Sequence, residues 1–107
     1  MSNLRLEQLF SFLQEDSYDS FLLFAIAKEY ESLGDLEHAK EYYLKILSND
    51  PDYVGMYYHL AKLYEKLEEN AKAIEMYDAG LKIGTKLADF HAVAELNNAK
   101  VNLEMEL

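Results

Sequence analysis

Two stretches of 34 residues decide the reading: SFLLFAIAKEYESLGDLEHAKEYYLKILSNDPDY, from Ser20 to Tyr53, and VGMYYHLAKLYEKLEENAKAIEMYDAGLKIGTKL, from Val54 to Leu87. Laid over one another they share nine identities: Ala27/Ala61, Lys28/Lys62, Tyr30/Tyr64, Glu31/Glu65, Leu33/Leu67, Ala39/Ala73, Glu41/Glu75, Tyr43/Tyr77 and Leu47/Leu81. Chance at average composition gives about two. Several of the shared residues also sit on the apolar side of a helical pattern, so what repeats is a packing unit.

The pattern inside each copy is helical. Leu22, Leu23, Ile26, Ala27, Tyr30 and Leu33 keep the 3.6-residue spacing after Asp19, a side chain suited to accept from the free amides of a helix start. Gly34-Asp35 stops that helix and opens another: glycine takes the left-handed conformation without a steric penalty, and Asp35 caps the second helix of the copy. Leu36, Ala39, Tyr43, Ile46 and Leu47 form the second apolar stripe, ended by Pro51, which has no amide to donate. Leu6, Leu9, Phe10 and Leu13 predict a shorter N-terminal helix over 1–15. Leu9 and Leu13 fall under Tyr43 and Leu47, so it reads as the second half of a preceding repeat. A last helix is predicted over 89–106, with Asp89 as the preferred cap over Thr85. One of its stripes is Ala92, Leu96, Ala99 and Leu103, and another is Phe90, Ala94, Val101 and Met105. No useful run of strand-like alternation occurs.

At this point the chain resembles the tetratricopeptide repeat family. The pattern of a large residue, Leu-Gly, Tyr, Ala, Phe, Ala and Pro is met by Leu23, Ile26-Ala27, Tyr30, Ala39, Tyr43, Ile46 and Pro51. The second copy answers with Tyr57, Leu60-Ala61, Tyr64, Ala73, Tyr77, Gly80 and Thr85. Neither copy has the Trp, Ala stands in place of Gly in both, Ile46 is bulkier than the usual Ala, and the second copy has Glu68-Glu69 in place of Gly34-Asp35 and Thr85 in place of proline. The resemblance implies an all-α fold of antiparallel helix-turn-helix repeats stacked as a short right-handed α-solenoid of about six helices. The organisation expected is one domain over 1–107: N-terminal helix 1–15, repeats 20–53 and 54–87, and C-terminal capping helix 89–106. Paired Ala27/Ala39 and Ala61/Ala73 let two helices approach, and the tyrosines fill the space beside them. Each repeat has an apolar face that it cannot bury alone, which explains the flanking helices.

Composition narrows the chemistry. The 107 residues carry 20 acidic and 10 basic side chains, a net charge of −10, so a nucleic-acid backbone is not the expected partner. Half of the residues are hydrophobic, which excludes a disordered chain, and the absence of cysteine excludes thiol catalysis, thiolate metal sites and disulfides. Residues 1–7 lack the basic and apolar regions of a secretory signal. The longest apolar run, Phe21 to Ala27, is far short of the ~20 residues that span a bilayer. A cytoplasmic protein with no membrane partner is expected. His38, His59 and His91 lie on three helices without a ligand set, and Asp50 to Gly55 lacks the oxygens of a calcium loop, so no metal and no cofactor are expected. Neither a phosphate loop, a nucleophile elbow nor a carboxylate pair with shifted proton affinity can be assembled, so an enzyme is not expected. Glu41/Lys45, Glu68/Lys72 and Asp78/Lys82 read as surface ion pairs.

A binding role remains. In the family the first helix of each repeat lines a concave groove that holds a peptide or helix of a partner protein. By register those positions are Phe21, Phe24, Ala25, Lys28, Glu31 and Ser32, then Gly55, Tyr58, His59, Lys62, Glu65 and Lys66. Phe21, Phe24, Lys28, Tyr58, His59, Lys62, Glu65 and Lys66 are the candidate site, since aromatics beside lysines suit an amphipathic guest with an acid. The bland reading of Phe21 and Phe24 is burial under a flanking helix. Family members that capture a chaperone's C-terminal carboxylate use lysine, two asparagines and basic residues. Phe24, Lys28, His59, Asp89 and Val93 stand in those places here, so such tails are not expected to bind. The expected role is an adaptor, with a homodimer through helix 89–106 or the stack ends as the alternative. The predicted inner helices, 20–33 and 54–67, carry three lysines and three glutamates, so the whole charge excess falls on the remaining elements.

Overall fold

The computed structural model describes residues 3–107. It contains six helices and, among the described residues, no strand: α1 Leu4–Glu15, α2 Ser20–Ser32, α3 Leu36–Asn49, α4 Gly55–Lys66, α5 Asn70–Lys86 and α6 Phe90–Glu106. The fold is all-α and built of helical repeats. Contacts divide the chain into two compact units, Met1–Pro51 and Asp52–Leu107.

In the first unit α2 packs against both α1 and α3, and Phe10 of α1 also meets the Tyr42 ring of α3. Four helix starts among the described residues are capped by the side chains expected for orphan amides, and three of them are here. Asn3 accepts from the Leu6 amide at 3.0 Å, Asp19 from Leu22 at 3.0 Å and Asp35 from His38 at 3.2 Å. The α1 face buries Leu6 and Leu9 with Ile26, while Phe10, Leu13, Leu22, Ala25, Tyr30 and Tyr42 pack around them. Glu29 ties the start of α1 to α2, accepting from the Asn3 side-chain Nδ2 at 3.2 Å and lying 3.3 Å from the Arg5 guanidinium. Ala27, Ala39, Tyr43 and Ile46 are completely buried, as the small-and-large pattern anticipates. Leu33 departs from it: as the residue closing α2 it lies past the last full turn and is exposed. Ser20 donates to Asp50 at 2.7 Å and so joins the start of α2 to the end of α3.

In the second unit α5 packs against both α4 and α6. Tyr57, Leu60, Ala61, Ala73, Tyr77, Leu96, Ala99 and Leu103 form its interior. Gly80 lies where three helices meet: a Cβ there would stand 2.7 Å from Tyr57 Cβ and 3.0 Å from Leu96 Cδ1. Only a bare backbone fits. Without proline α5 runs on to Lys86, making it three residues longer than α3, which has 14. Asp89 then caps α6, accepting from Ala92 at 3.1 Å. Three of the five helix–helix connections share one backbone form: the αL residue is Gly34, Glu68 or Ala88, and the next amide bonds the carbonyl five residues back at 2.9 Å. The loss of Gly-Asp at 68–69 therefore leaves the turn intact, though Glu69 makes no side-chain cap.

The surface ion pairs differ from the expected set. Lys72 meets Glu69 at 3.2 Å and not Glu68, Asp78 meets Lys100 of α6 at 2.7 Å, and Lys45 stands over the Tyr42 ring at 5.6 Å. The reason is that i, i+3 and inter-helix partners were nearer than the i, i+4 neighbours.

Candidate functional site

The same three-residue cluster occurs once in each unit. In the first, Glu31 Oε2 accepts from the Tyr43 hydroxyl at 3.2 Å and from Lys28 Nζ at 3.0 Å. In the second, Glu65 Oε2 accepts from the Tyr77 hydroxyl and lies 3.8 Å from Lys62 Nζ. All six residues belong to identical pairs of the 34-residue repeat. The tyrosine reaches across from the second helix of its repeat to a carboxylate on the first, and the carboxylate in turn draws in the lysine. Burial, helped by the adjacent carboxylates, pushes both phenols well above their ordinary value, so they stay neutral donors.

Around each cluster stand the remaining candidates. Phe24 meets the Tyr43 ring edge-on, with centroids 6.0 Å apart. Phe21 is 69% exposed, so no flanking helix covers it and the core reading fails for this residue. On α4, Lys62 lies 5.8 Å from the centre of the Tyr58 ring, which in turn meets His59 at right angles. Lys66 is exposed. The structure thus gathers Phe24 and Lys28 about Glu31, and Tyr58, His59 and Lys62 about Glu65, on α2 and α4 respectively. Lys28, Lys62 and Glu65 are also held within their own unit. That second role was not visible in the spacing, which assigned Tyr43 and Tyr77 only to filling space.

Other features lie apart from these faces. A shallow recess of about 420 Å³ at the end of α1 is lined by Phe10, Leu13, Gln14 and Ser17, and another, of about 360 Å³, by Glu37, His38, Lys40, Glu41 and Leu44 on α3. His38 stacks on Tyr30 at 5.0 Å and lies 2.7 Å from Asp35, whose carboxyl is held below its usual range chiefly by the His38 backbone amide. Asp89 and Val93 are occupied structurally, one capping α6 and the other packed beside Gly84.

The tetratricopeptide repeat model matches residues 22–53 and 54–83, more than half of the chain. The chain belongs to the tetratricopeptide repeat family. A tetratricopeptide repeat domain protein from Salinibacter ruber is similar to it, with 35% identity over 80% of this chain and 96% of that one and a TM-score of 0.77. A protein of Bordetella parapertussis shares 24% identity over 99% of this chain and 91% of its own, with a TM-score of 0.83. PcrH, solved in complex with the chaperone binding region of PopD, shares the fold at 16% identity, covering 94% of this chain and 77% of that one with a TM-score of 0.85. No curated protein matches. No helix among the described residues is long and apolar enough to cross a membrane.

Proposed function

We propose that this tetratricopeptide repeat chain is a non-enzymatic adaptor that binds a peptide or helical segment of a partner protein through the first-helix faces of its repeats. Phe21, Phe24 and Lys28 act on α2, and Tyr58, His59, Lys62, Glu65 and Lys66 on α4, with α1 and α6 serving as caps. The observation that carries the reading is the repeated Tyr–Glu–Lys cluster flanked by accessible aromatic surface. Side chains held in this way lose little conformational freedom when a guest arrives. The aromatic surface supplies apolar burial, and the lysines offer partners for an acid on the guest. That PcrH holds a segment of PopD supports the fold as a scaffold for such binding.

The test is affinity capture from the source cell with the wild-type chain and with a triple variant, Lys28→Glu, Tyr58→Ala and Lys62→Glu, whose helicity is checked by circular dichroism. Partners should be lost from a folded variant. An unchanged set of partners would remove the groove from consideration.

A further inference from the structure

The repeated cluster is not equally closed in its two copies. In the first, Lys28 Nζ reaches Glu31 Oε2 at 3.0 Å, a direct charge-assisted hydrogen bond. At the equivalent places on α4, Lys62 Nζ stops 3.8 Å from Glu65 Oε2, beyond hydrogen-bond length, and lies over the Tyr58 ring at 5.8 Å. The carboxylate is fixed from the other side, where the Tyr77 hydroxyl of α5, carried on a completely buried ring, donates to the same Oε2. Among the described residues both contacts of this carboxylate fall on Oε2, which leaves Oε1 to accept from a guest. The Lys62 side chain is 39% exposed and that of Glu65 20%, so a donor and an acceptor stand side by side on one helix face.

Such a pair discriminates by charge. A carboxylate drawn to Lys62 would stand within reach of Glu65, and a cation drawn to Glu65 would meet Lys62, so attraction and repulsion largely cancel for any ion. A neutral group that carries an acceptor and a donor together satisfies both. The primary carboxamide has that composition, with an oxygen that accepts and a nitrogen that donates twice. It also leaves water at a lower cost than an ion does.

We propose that Lys62 and Glu65 bind the carboxamide of an asparagine or glutamine side chain on the guest segment, Lys62 donating to its oxygen and Glu65 accepting from its nitrogen. This rests on the adaptor reading and names, at α4, the group that the guest presents in place of an acid. Tyr77 is a positioning residue: it holds the carboxylate off the ammonium, so the gap need not be opened when the guest arrives. Tyr58, with His59 edge-on to it at 5.4 Å, gives the aliphatic part of the guest side chain an apolar wall.

The probe is a phage-displayed library of random short peptides, selected on the full chain and counter-screened on the folded Lys28→Glu, Tyr58→Ala, Lys62→Glu variant. Clones lost on that variant should share an asparagine or glutamine at one aligned position. A synthetic peptide of the shared sequence, titrated by fluorescence anisotropy, should bind at least about tenfold more weakly when that residue is replaced by aspartate, lysine or leucine. Glu65→Gln keeps an acceptor for Tyr77 and removes the charge, so on that chain the aspartate peptide should come within about threefold of the asparagine peptide. Acidic residues at the aligned position, an aspartate peptide that binds wild type as well as the asparagine one, or an unchanged preference in a folded Glu65→Gln chain would each overturn the carboxamide proposal and leave the groove reading standing. Clones that bind the triple variant as well as the wild type, or no clones at all, would remove the groove and the proposal with it.

Discussion

The two repeats solve one packing problem with opposite distributions of volume. In the first, Leu23 on α2 and Ile46 on α3 share the burial about equally; at the equivalent places in the second, Tyr57 is large and Gly80 has no side chain. What the repeat preserves is the filled space between its helices, and identity at single positions is secondary. The same contrast runs through the turns and ends. Gly34-Asp35 provides both the αL residue and the cap, whereas Glu68-Glu69 takes the same backbone path with φ of 60° at Glu68 and no side-chain cap. Ser20 and Asp50 close the first repeat by a hydroxyl–carboxylate bond, while Lys86 and Asp52, 3.0 Å apart, join the end of α5 to the segment before α4.

The sharpest way to break this comparison is to give the second repeat the first one's bulk. Gly80→Ala should cost about 3 kcal/mol in urea unfolding, because the new methyl meets Tyr57 at its Cβ, which no rotamer change can move. Adding Tyr57→Leu, the residue of the first repeat, should not recover that loss, since leucine keeps the Cβ and Cγ that the methyl meets. A neutral Gly80→Ala would show that the two helices are not held at contact distance.

Next in size is the shared cluster. Tyr43→Phe and Tyr77→Phe should each cost about 1.5 kcal/mol, since each leaves a half-buried carboxylate without its neutral donor. The raised phenols also set a pH dependence. Their contribution is whole below the ordinary tyrosine value of 10.0, and stability falls as pH rises above it, because the unfolded chain can then ionise while the folded one resists. Unfolding midpoints measured from pH 8 to 11 should decline less steeply in the double phenylalanine variant.

Removing the caps should separate the repeats by a smaller amount. Asp35→Ala should lower the melting temperature and Glu69→Ala should lower it far less, because only Asp35 accepts a backbone amide. With its carboxyl held low in the folded state, Asp35 contributes fully above its unfolded value of 3.8 and loses that contribution as pH falls through the folded one. Thermal melts from pH 2 to 6 should therefore show a shallower acid decline for Asp35→Ala. The smallest expected effect is a gain: Glu68→Gly should stabilise by about 0.5 to 1 kcal/mol by relieving a positive φ, and Gly34→Ala should do the reverse.

Much of this was readable in advance, and for a physical reason. The 34-residue identities, the helix caps Asp19, Asp35 and Asp89, and the alanines at the close contacts are local or periodic signals. The Tyr–Glu–Lys cluster was hidden because its partners lie twelve residues apart on two helices, and only antiparallel packing brings the hydroxyl to the carboxylate. Phe21 could not be placed as core or surface by spacing, since an apolar side chain on a broad stripe fits either. The expected i, i+4 ion pairs failed for a related reason: long side chains take the nearest opposite charge, and for Asp78 that was Lys100 on a neighbouring helix.

By itself the sequence determined the helical period, the repeat, the family and the positions of most turns, because these depend on side-chain spacing and backbone preference along one chain. The tertiary structure alone decided that Gly80 is a contact point, that Glu31 and Glu65 are braced by tyrosines, and that one apolar stripe of α6 is buried while its opposite stands in solvent. Those outcomes depend on which surfaces meet, and a linear pattern does not record that.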